Sequence, residues 1–127
     1  MNHPADLKYS SDHEWVKVEG TTARIGISDF AQDNLGDIVW VDLPAQGLHV
    51  DANGAFSEVE STKSVSEIFA PVSGTIVEVN DQLQDAPELL NRDPYGTGWI
   101  CVVEMSDPTE LDSLLDAAAY ESLIGDE

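Results

Sequence analysis

Glu14 to Glu19 (EWVKVE) alternates apolar and polar residues, Gly20 with Thr21 and Thr22 supplies a turn, and Ala23 to Ile27 (ARIGI) alternates again. This pattern predicts a β-hairpin. Ser28 precedes DFAQDNL as a capping residue, Asp29 suits a first helical turn and Gly36 marks its end, which predicts a short helix over 29–35. Asp37 to Leu43 (DIVWVDL) reads as a strand closed by Pro44, and Gln46 to Gly54 is turn-rich. Further strands are predicted at Ala55 to Val59, Val65 to Phe69 and Thr75 to Val79, the last two separated by Pro71 and Gly74. Asn80 to Gly98 forms a long irregular segment with Pro87, Pro94, Gly96 and Gly98, of the kind that covers a core or carries a site. Strand pattern returns at Trp99 to Met105.

The period then changes. Asp107, Pro108 and Glu110 place a cap, a first-turn proline and an acid three residues after the cap, the signature of a helix start. Leu111, Leu114 and Leu115 are expected on one face, and Ala117 to Ile124 forms a second helical piece with Tyr120, Leu123 and Ile124 at compatible spacing. The expectation is a mainly β domain over 1–127, with a core at about 7–105 and a helical cap at about 107–124. A faint repeat supports paired strands: shifted by 38 residues, Gly36 to Asp42 (GDIVWVD) lies over Gly74 to Asn80 (GTIVEVN). Core candidates are Trp15, Ile25, Ile27, Ile38, Trp40, Val59, Ile68, Ile76, Val79, Ile100 and Val102.

Length and composition add bounds. The chain has 127 residues, enough for one hydrophobic core, and 42% of them are hydrophobic. Its 25 acidic and 5 basic residues give a net charge of -20. Such a surface repels nucleic acid and anionic lipid and attracts a partner with a basic face. No apolar stretch approaches the roughly 18 residues that span a bilayer. The start, MNHPADLKYSSDHEW, lacks a basic segment followed by an apolar one, so a cytoplasmic protein is expected. The single cysteine, Cys101, cannot form an intramolecular disulfide and reads as a small packed residue in a strand.

Candidate chemistry is sparse. His13 opens H-E-W-V-K, but Lys17 stands where a zinc protease needs its second histidine, and histidines at 3, 13 and 49 have no ligand spacing, so no metal is expected. Asp51 to Gly54 is too short for a calcium loop, and Gly96-Thr97-Gly98 does not open a helix. No Ser/His/Asp or Cys/His arrangement suggests catalysis. Lys63 stands out: between Arg24 and Arg92 it is the one basic residue among twelve acidic ones. The segment SEVESTKSVSEIF places it at the tip of a hairpin, with Glu60, Ser61, Thr62 and Ser64 around it. A lysine there is either a solubilising charge or a handle for a covalently attached cofactor, which needs a rigid, protruding amine without bulky neighbours.

E-S-T-K-S-V-S followed by A-P-V-S-G-T-I-V-E-V-N resembles the attachment hairpin and next strand of the glycine cleavage H-protein family. Y-S-S-D-H-E-W at Tyr9 to Trp15, G-I-S-D-F-A-Q-D-N-L-G-D-I-V-W-V-D-L-P at Gly26 to Pro44, and N-R-D-P-Y-G-T-G-W at Asn91 to Trp99 resemble further segments of it in order. Thr62 and Ser64 stand where the family often has apolar or small residues, and Glu67 where aspartate is frequent.

The resemblance implies a lipoyl/biotinyl-type hybrid barrel-sandwich, monomeric, with lipoate held as an amide on Lys63 by a lipoate-attaching enzyme. It implies a non-catalytic carrier that takes the aminomethyl group of glycine from glycine decarboxylase to the folate-dependent aminomethyltransferase. Dihydrolipoyl dehydrogenase then reoxidises its dithiol. It also implies that the loaded arm folds into a surface cleft, where Glu14, Glu67 and, more weakly, Asp12 are candidates to receive its ammonium. A lipoyl domain of a 2-oxo acid dehydrogenase or a lipoate relay would use the same hairpin. The HEW and PYGTGW segments have no place in the former. A biotin carrier would flank its lysine with methionines, and an unmodified acidic adaptor would need no cofactor.

Overall fold

The computed structural model describes residues 3–125, so positions 1, 2, 126 and 127 of the expected domain lie outside the described residues. Nine strands form in chain order: β1 (Lys8–Tyr9), β2 (Glu14–Glu19), β3 (Thr22–Ile27), β4 (Ile38–Asp42), β5 (His49–Val50), β6 (Ala55–Ser61), β7 (Val65–Phe69), β8 (Gly74–Val79) and β9 (Cys101–Met105). Four short helices join them: α1 (Asp29–Leu35), α2 (Gln82–Asp85), α3 (Leu89–Arg92) and α4 (Ala117–Ile124), with a 3-10 turn at Pro108–Ser113. The strands make a six-stranded sheet in the order β1-β2-β3-β9-β8-β5 and a three-stranded sheet in the order β4-β6-β7. Ile25, Ile76 and Val103 from the first sheet meet Val41, Val59 and Ile68 from the second in one core, which gives the mainly β hybrid sandwich its shape.

The two copies of the repeat fall one in each sheet, as β4 and β8. Each carries a register irregularity at the same place, between Ile38 and Trp40 in one and between Ile76 and Glu78 in the other. A bulge inserts one residue and reverses the inward and outward alternation beyond it. That corrects one core assignment: Ile38 and Val41 point inward, while Trp40 is 46% exposed. Val79 is only partly buried against the core. The other nine core candidates are buried.

Side-chain caps match the residues that predicted them. Ser28 Oγ accepts from the Ala31 amide at the start of α1, and Gly36 closes the helix at φ +83°. Asp107 caps its turn by accepting from Thr109, but that turn is 3-10 and stops at Ser113. Leu114 is extended and Leu115 exchanges two backbone hydrogen bonds of 2.8 Å with Tyr9, so Leu111, Leu114 and Leu115 do not share one helical face. The gain from pairing with β1 outweighs continuation of a weak helix. Asp116 then caps α4 through the Ala119 amide. The segment from Asn80 to Gly98 is ordered by its own polar groups. Buried Asn80 donates to the carbonyls of Thr97 at 2.8 Å and Trp99 at 2.7 Å, closing it into a loop that contains α2 and α3.

A second, aromatic cluster of Leu7, Tyr9, Trp15 and Tyr120 fastens α4 to the six-stranded sheet. Trp15 Nε1 donates to the Pro94 carbonyl at 2.8 Å, joining the HEW and PYGTGW segments. Gly26 lies flat against the same indole, where an added Cβ would sit 2.6 Å from the ring. Cys101 is fully buried, and burial pushes its thiol pKa up to about 12.

Candidate functional site: a lysine hairpin and the adjoining cleft

Strands β6 and β7 pair from Ala55 and Phe69 up to Glu60 opposite Val65, and the chain turns over Ser61, Thr62, Lys63 and Ser64. Ser61 organises that turn. Its hydroxyl accepts from the amides of Lys63 at 3.3 Å and Ser64 at 3.1 Å and donates to the Ser64 carbonyl at 3.2 Å, while its own amide meets that carbonyl at 2.8 Å. Serine supplies both a donor and an acceptor here, which alanine could not. The Thr62 amide donates to the Asp37 carbonyl at 3.0 Å, pinning the tip to the turn between α1 and β4. Lys63, Thr62 and Ser64 are exposed, and Glu60 is half-buried beside them.

The lysine stem crosses Gly36. A Cβ at that glycine would stand 3.4 Å from Lys63 Cε, in ordinary contact with the stem, so it is the φ of +83° that calls for glycine here. Asn91 supports this turn from below: its carbonyl oxygen accepts from the Ile38 amide at 2.8 Å, and its amide group donates to the Gly36 carbonyl at 2.9 Å and to Gln32 Oε1 at 3.0 Å.

Beyond Gly36 a surface cleft of about 140 Å³ opens between α1 and the outer edge of β7. Ala31, Leu35, Ile27 and Ile68 give it an apolar floor, and Asp12, His13, Asn34, Ser66 and Glu67 give it polar walls. The structure therefore brings Asp12 and Glu67 into the lining of one cleft, along with Leu35, the neighbour of the Gly36 that the Lys63 stem touches.

Glu14 is placed differently. It is 1% exposed, behind the wall that Asp12 and His13 form, and its carboxyl accepts from Ser10 Oγ at 2.5 Å and from the Phe69 amide at 3.3 Å. Burial pushes its pKa up to about 8, against the lowering effect of those hydrogen bonds and with a small added push from Asp12. Neutral Glu14 thus bridges β2 and β7 at pH 7.

Sequence reasoning left several residues around the cleft unassigned. Ser28, Asn91 and Tyr120 hold its walls through hydrogen bonds, and His13 lies in the wall itself. His13 has φ +73°, a left-handed conformation that no local pattern announces for a histidine.

Fold and site together define a class: a mainly β hybrid sandwich that presents one exposed lysine on a hydrogen-bonded hairpin turn, with a surface cleft nearby. The family model of the glycine cleavage H-protein matches residues 7–127. The glycine cleavage system H protein of Symbiobacterium thermophilum is 56% identical over 121 residues, covering 95% of this chain and 94% of the relative. That of Bacillus subtilis is 54% identical over 123 residues, with 97% of each chain covered. A crystal structure of a glycine cleavage system H protein from Mycobacterium marinum superposes with a TM-score of 0.89 at 42% identity, over 97% of this chain and 99% of that one. The chain belongs to the glycine cleavage H-protein family, the lipoyl carriers of the glycine cleavage system.

Proposed function

We propose that this chain is a single, monomeric, non-catalytic carrier domain that bears lipoate as an amide on Lys63 and works in the cytoplasm. The observation that carries the reading is the placement of Lys63: exposed on a hydrogen-bonded turn, its stem over Gly36, whose neighbour Leu35 lines the cleft. The residues present fit the group, because a thin apolar floor suits a hydrocarbon arm with a disulfide ring. When bound, lipoate supplies a dithiolane that takes the aminomethyl group of glycine at glycine decarboxylase, yields it at aminomethyltransferase and is reoxidised by dihydrolipoyl dehydrogenase.

The chain's own residues do the rest. Ser61 and the Asp37 carbonyl fix where the tether begins, so that attachment raises the local concentration of its far end at each partner. Ile27, Ala31, Leu35 and Ile68 exclude water from a docked arm, and Asp12 and Glu67 offer carboxylates to a cationic group on it. Glu14 backs that wall from inside. The net charge of -20 steers basic faces of the three partner subunits, and of the lipoate-attaching enzyme, toward the hairpin.

Intact-mass measurement on protein from its native cell tests the attachment: one lipoyl increment is expected, absent from Lys63→Arg. Restoration of glycine cleavage by the lipoylated chain with the three partner subunits tests the role. Turnover by the purified chain alone would overturn it.

A further inference from the structure

Tyr120 is the one residue of α4 that is fully buried, and its ring stacks on Tyr9 with centroids 4.7 Å apart and planes 8° from parallel. The stack fixes the ring and leaves the hydroxyl to point elsewhere. Tyr120 Oη lies 2.6 Å from Ser28 Oγ and 2.9 Å from His13 Nδ1. Both partners lie beside the cleft. Ser28 caps α1, which supplies Ala31, Asn34 and Leu35, and His13 lines the cleft next to Asp12, its ring centroid 4.9 Å from that of Phe30 on α1. A backbone hydrogen bond of 2.9 Å from the Ser28 amide to the His13 carbonyl ties the same two segments.

Proton counting sets the direction of this relay. Ser28 is fully buried and its oxygen already accepts from the Ala31 amide at 3.2 Å, so its hydroxyl proton needs an acceptor, and Tyr120 Oη is its partner. With Ser28 donating, the tyrosine proton goes to His13 Nδ1. That nitrogen then carries no proton of its own, and the imidazole is the neutral Nε2–H tautomer.

We propose that Tyr120 is a positioning residue of the arm cleft, which ties His13 to the start of α1 through Ser28 and holds His13 as a neutral Nε2–H imidazole. The proposal rests on the reading of this cleft as the arm's shelter. A protonated imidazole would need Nδ1 as a donor and would break the relay. It would also place a cation in the same lining as Asp12 and Glu67, weakening their attraction for a cationic group. Burial lowers the His13 pKa, with Asp12 opposing, in keeping with a neutral ring.

Nitrogen-15 NMR of the His13 ring in the lipoate-free chain needs no variant: Nδ1 is expected to be unprotonated and Nε2 protonated at pH 7. The reverse tautomer overturns the proposal. Tyr120→Phe keeps the stack and removes only the hydroxyl, and is expected to give mixed His13 tautomers. On the lipoylated, aminomethyl-loaded carrier it should shorten the group's lifetime by about two- to tenfold, the factor that one hydrogen bond represents. An unchanged lifetime in Tyr120→Phe, on a wild-type carrier that protects the group better than free lipoamide, overturns the proposal alone. A wild-type carrier that gives no protection beyond free lipoamide overturns the sheltering cleft itself.

Discussion

At the hairpin end of the cleft Ser61 makes its side-chain contacts with residues two and three positions away, whereas at the far end Glu14, Ser28 and His13 reach partners 55, 92 and 107 positions away. The hydrogen bonds of the first set are exposed, whereas Glu14 and Ser28 are buried and His13 is half-buried. Chemistry is thus placed where water competes for every hydrogen bond and each is worth little. Shape is placed where a missing partner is costly. The molecule separates the exposed lysine from the residues that hold its surroundings, so that change at one end need not disturb the other.

The sharpest break between the ends comes from Lys63→Arg, which is expected to abolish lipoylation completely while leaving unfolding free energy within about 0.5 kcal/mol of wild type, as for most exposed substitutions. Intact mass and denaturant melts read the two effects separately. Next in size is the pH dependence that Glu14 contributes. Its pKa is about 8 when folded against an ordinary 4.5, so between those values the folded chain holds a proton that the unfolded chain has released. That contribution is complete below pH 4.5 and is lost as pH rises through about 8. A decline of roughly 4 kcal/mol is expected over that window, from the usual conversion of pKa shift to free energy. Glu14→Gln should flatten it in urea melts taken from pH 5 to pH 8.5.

Gly26→Ala probes the seam between the HEW and PYGTGW segments. The new methyl would meet the Trp15 ring at 2.6 Å, and displacement of that indole is expected to cost about 2 kcal/mol in a thermal melt. The smallest effect belongs to Ser61→Ala, about 1 kcal/mol or less because its bonds are partly solvated. Its signature is a slowing of lipoylation larger than that small loss of stability accounts for, measured as the initial rate of mass gain.

The same contrast explains what was legible in the sequence. The hairpin around Lys63, the turn at Gly20 and the caps at Ser28 and Asp107 rest on residues next to their partners, and their signals survive folding. The repeat was visible because four residues of each copy coincide, and both copies bend at the same step. Trp40 was misplaced for that very reason, since alternation carries no mark of a bulge. Strands β1 and β5 have two residues each, too few to show a period. Leu115 left its expected helix because Tyr9, 106 positions earlier, offered a strand. Asp12, Glu14 and Glu67 entered through family resemblance, and only the fold separates two wall carboxylates from one buried behind them. Tyr120 had no local signal at all: an aromatic on a helix reads as packing until its hydroxyl finds two partners.

Gly36 keeps the bend beneath the Lys63 stem free of backbone strain. Any L residue there would have to accept φ +83°, while its Cβ would only touch the stem at ordinary van der Waals distance, 3.4 Å from Cε. The constraint at this bend therefore lies in the chain itself and not in the space above it, and a substitution would strain the passage from α1 to β4 without obstructing the lysine.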